Sequence, residues 1–205
     1  MHEGQKTPRH YTLERLVYCG PGMRSNGNIQ NEYPHSLVRH LDTEAPPTIS
    51  VVGDPNLFSP PLTAFLCSKE TPGSTILKAF DQAAAWRDAG CCVISGFHSP
   101  LERQCLDILL RGQQPIVMVL ARSMPNLRLP PTQRKALEAG RLTVVSPFAA
   151  GETRATAELA RQRNRVVAAL AERVVFGFVS PGGNLAALRD ELHGWGTPYT
   201  TLHVE

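Results

Sequence analysis

Two short segments carry most of the anion-binding chemistry in this chain. Arg161-Gln162-Arg163-Asn164-Arg165 sets three guanidinium groups within five residues. Guanidinium forks suit phosphate oxygens, and an asparagine amide can hold a base edge or fix a loop. On a helix Arg161 and Arg165 share one face, while Arg163 and Asn164 point elsewhere, so the cluster wraps around the helix. The competing reading is a solvated face of an Arg-rich helix. The second segment is Ser95-Gly96-Phe97-His98-Ser99-Pro100-Leu101-Glu102. Gly96 permits a tight turn and close backbone approach. Ser99, Pro100 and Glu102 have the capping-box pattern, with Ser99 as N-cap. Free N–H groups at a helix start bind anions. Here Pro100 lacks an N–H and Glu102 supplies its own negative charge, so the chemistry leans toward capping. His98 can donate to an anion when protonated. Two further positions complete the candidate set. Lys69 follows an apolar run, where a cation can meet an anionic ligand. Ser180-Pro181-Gly182-Gly183-Asn184 has two glycines that let a backbone come close to a ligand. Its plainer reading is a strand-to-helix turn capped by Asn184.

The elements that must position these residues are set by hydrophobic periodicity. Residues 1–48 are rich in Pro, Gly, Asn and His, and GPGMRSNGN (20–28) reads as loop. A short helix is expected in YPHSLVRHLD (33–42). This segment reads as an N-terminal extension packed on the main domain, which runs from 49 to 205. Apolar runs at 48–53, 62–68, 91–96, 115–121, 141–147, 173–181 and 199–204 read as strands. Between them, 73–90, 100–112, 130–140, 153–172 and 183–196 have helical spacing. The helix at 153–172 could also be two pieces. Continuous apolar strands alternating with amphipathic helices imply an α/β fold: an extended Rossmann-like, doubly wound, mostly parallel sheet with helices on both faces. Ligands in such folds bind beyond the carboxyl ends of the strands. The candidate loops are Ser68–Gly73, Gly96–Ser99, Arg122–Leu129, Pro147–Arg154 and Ser180–Asn184.

Composition narrows the function classes. The chain has 205 residues, 42% apolar and 19% charged, which suits a soluble globular protein. No apolar run is long enough to cross a bilayer, and the start lacks a signal-peptide core, so a cytoplasmic location is expected. The five cysteines fit no zinc spacing and read as reduced thiols, mostly of the core. Net charge is only +3, so the local crowding of arginines says more than the total. No G-x-G-x-x-G follows the first parallel strand, where CSKETPGS stands. No dinucleotide cofactor is expected, nor any other. No catalytic constellation stands out.

In order and spacing these segments resemble the DNA-processing protein DprA/Smf family, from about Tyr33 onward. The family's YP–L segment matches Tyr33-Pro34-His35-Ser36-Leu37. Its Gly-Ser-Arg position is Cys67-Ser68-Lys69. Its S-G-x-A-R-G-I-D is Ser95 to Glu102, with His98-Ser99 in place of Ala-Arg and Pro100 in place of a glycine. Its R-N-R-I-I-A-x-L-S is Arg163-Asn164-Arg165-Val166-Val167-Ala168-Ala169-Leu170-Ala171, and its S-G-S-L is Gly182-Gly183-Asn184-Leu185. The resemblance implies a divergent stand-alone member that binds single-stranded DNA without catalysis. It also implies a homodimer that hands the strand to a RecA-type recombinase. By position Lys69, Ser95, Gly96, Arg163, Asn164, Arg165 and Gly183 would line the DNA face. Backbone neutralisation there gives salt-dependent affinity.

Two other readings stay open on the same residues. Pro181-Gly182-Gly183 resembles the P-G-G-x-G-T-x-x-E motif of the LOG-type phosphoribohydrolases, of the same superfamily. Arg189 stands where their catalytic glutamate belongs, so the base for glycosidic cleavage is missing. The third reading is a nucleotide-binding module that keeps the fold without the DNA site.

Overall fold

The computed structural model describes residues 10–14, 33–58, 61–125 and 127–203. The loop expected at 20–28 lies outside them. The described elements alternate along the chain. They are β1 (His10–Glu14), α1 (His35–Leu41), β2 (Thr48–Val52), β3 (Leu62–Leu66), α2 (Gly73–Asp88), β4 (Cys92–Ser95), α3 (Pro100–Leu109) and β5 (Ile116–Val119). They continue with α4 (Pro131–Glu138), β6 (Leu142–Ser146), α5 (Ala157–Leu170), β7 (Arg173–Phe176), α6 (Asn184–Trp195) and β8 (Tyr199–Thr201).

All described strands join one sheet in the order β1-β2-β6-β5-β4-β3-β7-β8. From β6 to β8 every pairing is parallel. β2 runs antiparallel to β6, and β1 antiparallel to β2. The strand at His10–Glu14 had no counterpart in the hydrophobic pattern. It extends the sheet by pairing Tyr11 with Val51 and Leu13 with Ile49. Several strands are shorter than their apolar runs. β7 stops at Phe176 although the run continues to 181, because the chain then leaves the ladder as a loop. β8 likewise ends at Thr201. The helix expected at 153–172 is a single piece that starts at Ala157. Thr156 sets that start, its Oγ1 accepting from Leu159 N at 3.1 Å.

The sheet is covered on both faces. α1, α5 and α6 bury Leu37, Val167, Leu188 and their neighbours on one side. α2, α3 and α4 bury Ala83, Leu106, Leu137 and theirs on the other. This division explains the sequence pattern. β3, β4 and β5 lie between two helical layers and are buried along their whole length, so they read as unbroken apolar runs. α3 buries Leu101, Cys105, Leu106 and Leu109, a stripe at helical spacing. Of the five cysteines, Cys67, Cys92 and Cys105 are buried free thiols and Cys91 is partly buried. Burial pushes the thiols of Cys92 and Cys105 up to about 12, so both stay protonated and unreactive.

The order of strands reverses at β3. β4, β5 and β6 follow on one side of it, and β7 and β8 on the other. The crevice of a doubly wound sheet lies at such a reversal, outside the carboxyl ends. The loops after β3, β4 and β7 therefore meet there.

Candidate nucleic-acid interface

Arg163 is the centre of the arrangement. Within α5 the residues Leu159, Arg163, Val166, Val167 and Leu170 form the buried stripe, so an arginine occupies a core position. It is 4% exposed. A buried guanidinium is costly unless its donors are met. Nη1 donates to the Val119 carbonyl at the end of β5, 3.2 Å away. Nε donates to Asn164 Oδ1 at 2.8 Å. Nη2 has no hydrogen-bond acceptor among the described residues. Burial lowers the Arg163 pKa from its usual value, and the nearby Glu102 carboxylate opposes the change. Because a guanidinium starts so high, the group stays charged at neutral pH.

Gly96 makes room for that guanidinium. A Cβ at position 96 would fall 1.4 Å from Arg163 Nη1 and 1.9 Å from Cζ. The glycine is thus required by a side chain that lies across the end of β4, not by its own φ. The next residue takes the strain instead. Phe97 has φ +46°, a left-handed conformation that a bulky residue rarely adopts. Its N–H donates to Ser95 Oγ at 3.1 Å, and its ring is buried among α2 and α3 side chains. These contacts hold a conformation that costs on the order of 1–3 kcal/mol.

The capping box is present, and it does more than cap. Ser99 Oγ accepts from Glu102 N, and Glu102 Oε2 accepts from Ser99 N at 3.1 Å and from His98 N at 2.8 Å. Glu102 Oε1 accepts from Cys67 N, 2.9 Å away at the end of β3. One buried carboxylate therefore gathers three backbone donors from two loops. It occupies the place at the α3 N-terminus that a ligand phosphate would otherwise take. This bears out the expectation that Pro100 and Glu102 turn the segment toward capping.

His98 is exposed, and its ring lies within the fields of Arg163, Glu102, Arg103 and Lys69. Partial burial lowers its pKa most, and the three cations lower it further against Glu102. In the free protein the imidazole is neutral at pH 7. The expected donation to an anion, which requires the protonated ring, therefore needs a proton taken up on binding or at lower pH. Lys69 is exposed in the loop after β3. Lys69, Arg103 and Arg163 thus act on His98 as one cationic locus, and Gly96 leaves room for the Arg163 guanidinium within it.

The other expected site residues are placed differently. Asn164 serves Arg163 through its Oδ1. Arg165 does not join the locus. Its Nε donates to Glu191 Oε2 on α6 at 2.7 Å, and its Nη1 pairs with Glu44. Arg161 is paired with Glu158 at 2.7 Å on the exposed face. The three arginines of the cluster therefore point to three environments. Gly182, with φ +67°, and Gly183 sit in the loop after β7. That loop is tied to the one carrying Lys69: Ser68 N donates to the Phe178 carbonyl at 2.9 Å, and Ser180 N to Ser68 Oγ at 3.0 Å. The α6 cap is Gly183, not Asn184, which is the first helical residue and exposed. Arg103 and the reach of Glu102 to Cys67 were not foreseen. The capping-box spacing marked Glu102, but no sequence signal links it to a residue 35 positions earlier.

Solved structures of DNA processing protein A share this fold. That from Streptococcus pneumoniae superposes with a TM-score of 0.68 at 16% identity, over 82% of this chain and 59% of its own. That from Helicobacter pylori, described for its single-stranded DNA binding mode, gives 0.69 at 15% identity, over 94% and 80%. The chain thus spans 59% of the length of the Streptococcus pneumoniae protein. No curated protein matches the sequence. The sequence profile of DNA recombination-mediator protein A matches residues 27–180. That span takes in the Lys69 loop, the Gly96–Glu102 turn and the Arg163–Arg165 segment. By this match the chain belongs to the DNA recombination-mediator protein A family.

Proposed function

We propose that this protein binds the backbone of single-stranded DNA at the carboxyl edge of β3, β4 and β5, without catalysis. The observation that carries the reading is the seat of Arg163. A buried guanidinium lies on Gly96, and its charge acts together with those of Lys69 and Arg103 on the exposed ring of His98. Such a cluster offers phosphate oxygens one fixed positive charge and two mobile ones. Its partial immobilisation lowers the ordering cost of binding. Family membership and the described binding mode of the Helicobacter pylori relative support the same ligand. The reading extends to a cytoplasmic homodimer acting in recombination or natural transformation, which passes the strand to a RecA-type recombinase. Lys69, Ser95, Gly96, His98, Ser99, Arg163 and Asn164 contribute to the proposed interface, with Gly182, Gly183 and Asn184 along its flank.

The test is fluorescence anisotropy with a labelled oligonucleotide at low and moderate salt. Binding at low salt, weakened at least tenfold by Arg163→Ala and several-fold by Lys69→Ala, is the expected result. No binding at low salt, or affinity untouched by either change, sinks the reading.

A further inference from the structure

The far edge of the sheet holds a feature that this interface does not use. β2 buries Ile49 and Val51 beneath α1, so Ser50 and Val52 face the opposite side. On that side α4 packs against β6, and among the described elements no helix continues across β2. A cavity of about 630 Å³ fills the space. Val52, Leu137, Met124, Leu127, Leu129 and Phe148 give it an apolar lining. Among the described residues the polar side chains are Ser50, Arg128 and Arg134, with no carboxylate. Both arginines are exposed, and neither pairs with an acid among the described residues.

The walls are braced. Ser123 N donates to the Glu152 carbonyl at 2.7 Å, and Ser123 Oγ to the Ala150 carbonyl at 3.3 Å. Ser146 Oγ donates to the Arg122 carbonyl at 2.7 Å. The loops after β5 and β6 are thereby laced into one wall. Arg134 Nη2 donates to the Leu129 carbonyl at 3.4 Å, which holds its guanidinium over the loop.

A cavity of this size, largely apolar with a few polar groups, is typical of a small-molecule site. Two arginines with no acidic partner among the described residues favour an anion at this cavity, and the guanidinium plane also stacks on flat rings. The ligand must then join a flat, largely apolar body to a compact negative group. We propose that this cavity binds a free nucleoside monophosphate, its base against Met124, Leu127 and Phe148 and its phosphate on Arg128 and Arg134. None of the lining residues belongs to the Gly96–Arg163 locus, so the site stands or falls apart from the DNA-binding reading.

Titration calorimetry of the full chain with deoxyadenosine monophosphate at low salt tests it. One-site binding is expected, weakened at least tenfold in the Arg128→Ala/Arg134→Ala double variant and unchanged within twofold in Arg163→Ala. Inorganic phosphate alone is expected to bind at least tenfold more weakly, because it makes no use of the apolar floor. Leu127→Glu, which sets a carboxylate in the apolar floor under the base and next in sequence to Arg128, should reduce binding as far as the double variant does. If that variant melts early, the exposed arginine pair decides alone. No heat at millimolar nucleotide, equal affinity for the double variant, or phosphate matching the nucleotide overturns the proposal. A loss with Arg163→Ala also overturns it, since the nucleotide would then sit at the β3–β4 locus.

Discussion

The imidazole of His98 gives the interface a pH response whose sign is fixed by its neighbours. Partial burial first, then Arg163, Arg103 and Lys69, hold its pKa below the ordinary value, against Glu102. The unfolded chain therefore binds this proton more readily than the folded one. Stability should rise with pH through the window just below and up to about 6.5, and the penalty is fully present below the folded pKa. A bound phosphate reverses the balance by favouring the imidazolium. Oligonucleotide affinity should then increase as pH falls from 8 to 5.5, with proton uptake on binding. His98→Gln should flatten that part of the profile, and an NMR titration of the ring should show its pKa higher with DNA than without. A wild-type profile no steeper than that of His98→Gln would refute the linkage. Gly96 makes a second prediction at this scale. Its alanine variant drives a Cβ into the Arg163 guanidinium. Overpacking of this kind costs roughly 1–3 kcal/mol. In the Arg163→Ala background the same change should cost much less, because the obstructing atoms are gone. Urea unfolding of the two single variants and the double variant reads this coupling directly.

At the scale of elements, α5 shows what periodicity could and could not disclose. Its existence was plain from the apolar spacing, and so was the separation of Arg163 from Arg161 and Arg165. The stripe Leu159-Arg163-Val166-Val167-Leu170 was equally present in the sequence and would have marked Arg163 as a core arginine. What no spacing supplies is its counterpart, the missing Cβ at Gly96 on another element. The separation of the arginines has a measurable consequence. Arg165 spans α5, α6 and the turn at Asp42–Glu44 through Glu191 and Glu44. Arg165→Ala should leave DNA affinity within about twofold and cost up to roughly 1 kcal/mol in stability, as partly exposed ion pairs do. Arg163→Ala should do the reverse in binding. Parallel anisotropy and denaturation curves separate the two, and an equal loss of affinity would place Arg165 on the DNA after all. α3 carries the companion case. Its capping box was legible, but the third bond of Glu102, to Cys67 N, joins the end of β3 to the first turn of α3 and depends on strand order. Glu102→Gln should destabilise by roughly 1.5–3 kcal/mol, the range for hydrogen bonds to a charged group. Chemical denaturation measures it, and a change under about half a kcal/mol would mean that the carboxylate is not the clamp.

For the whole molecule, alternation of apolar runs with amphipathic helices was sufficient for the parallel order from β3 to β7, since each crossover must return on a helix. It was silent on β1, whose five residues pair antiparallel at the edge and need no unbroken apolar run. It was also silent on the open side of β2, because a cavity is a property of neighbours that are distant in sequence. Charge behaves in the same way. A net +3 on 205 residues is too small to bind nucleic acid by bulk field, so affinity must come from the few cations that the strand order brings together. Lys69, Arg103 and Arg163 are three such charges, with His98 adding a fourth only when protonated. Each phosphate neutralised on a single strand contributes a slope of about −0.7 in log affinity against log salt, so three give about −2 at pH 8. Removing Lys69 or Arg103 should lower the slope by about 0.7 each, and it should steepen by a similar amount at pH 5.5 as His98 charges. Anisotropy titrations at four or five salt concentrations and both pH values measure these slopes. A slope near zero would assign the affinity to contacts other than phosphate. A slope of about −4 or beyond at pH 8 would require cations outside this locus, with Arg128 and Arg134 the next to be changed.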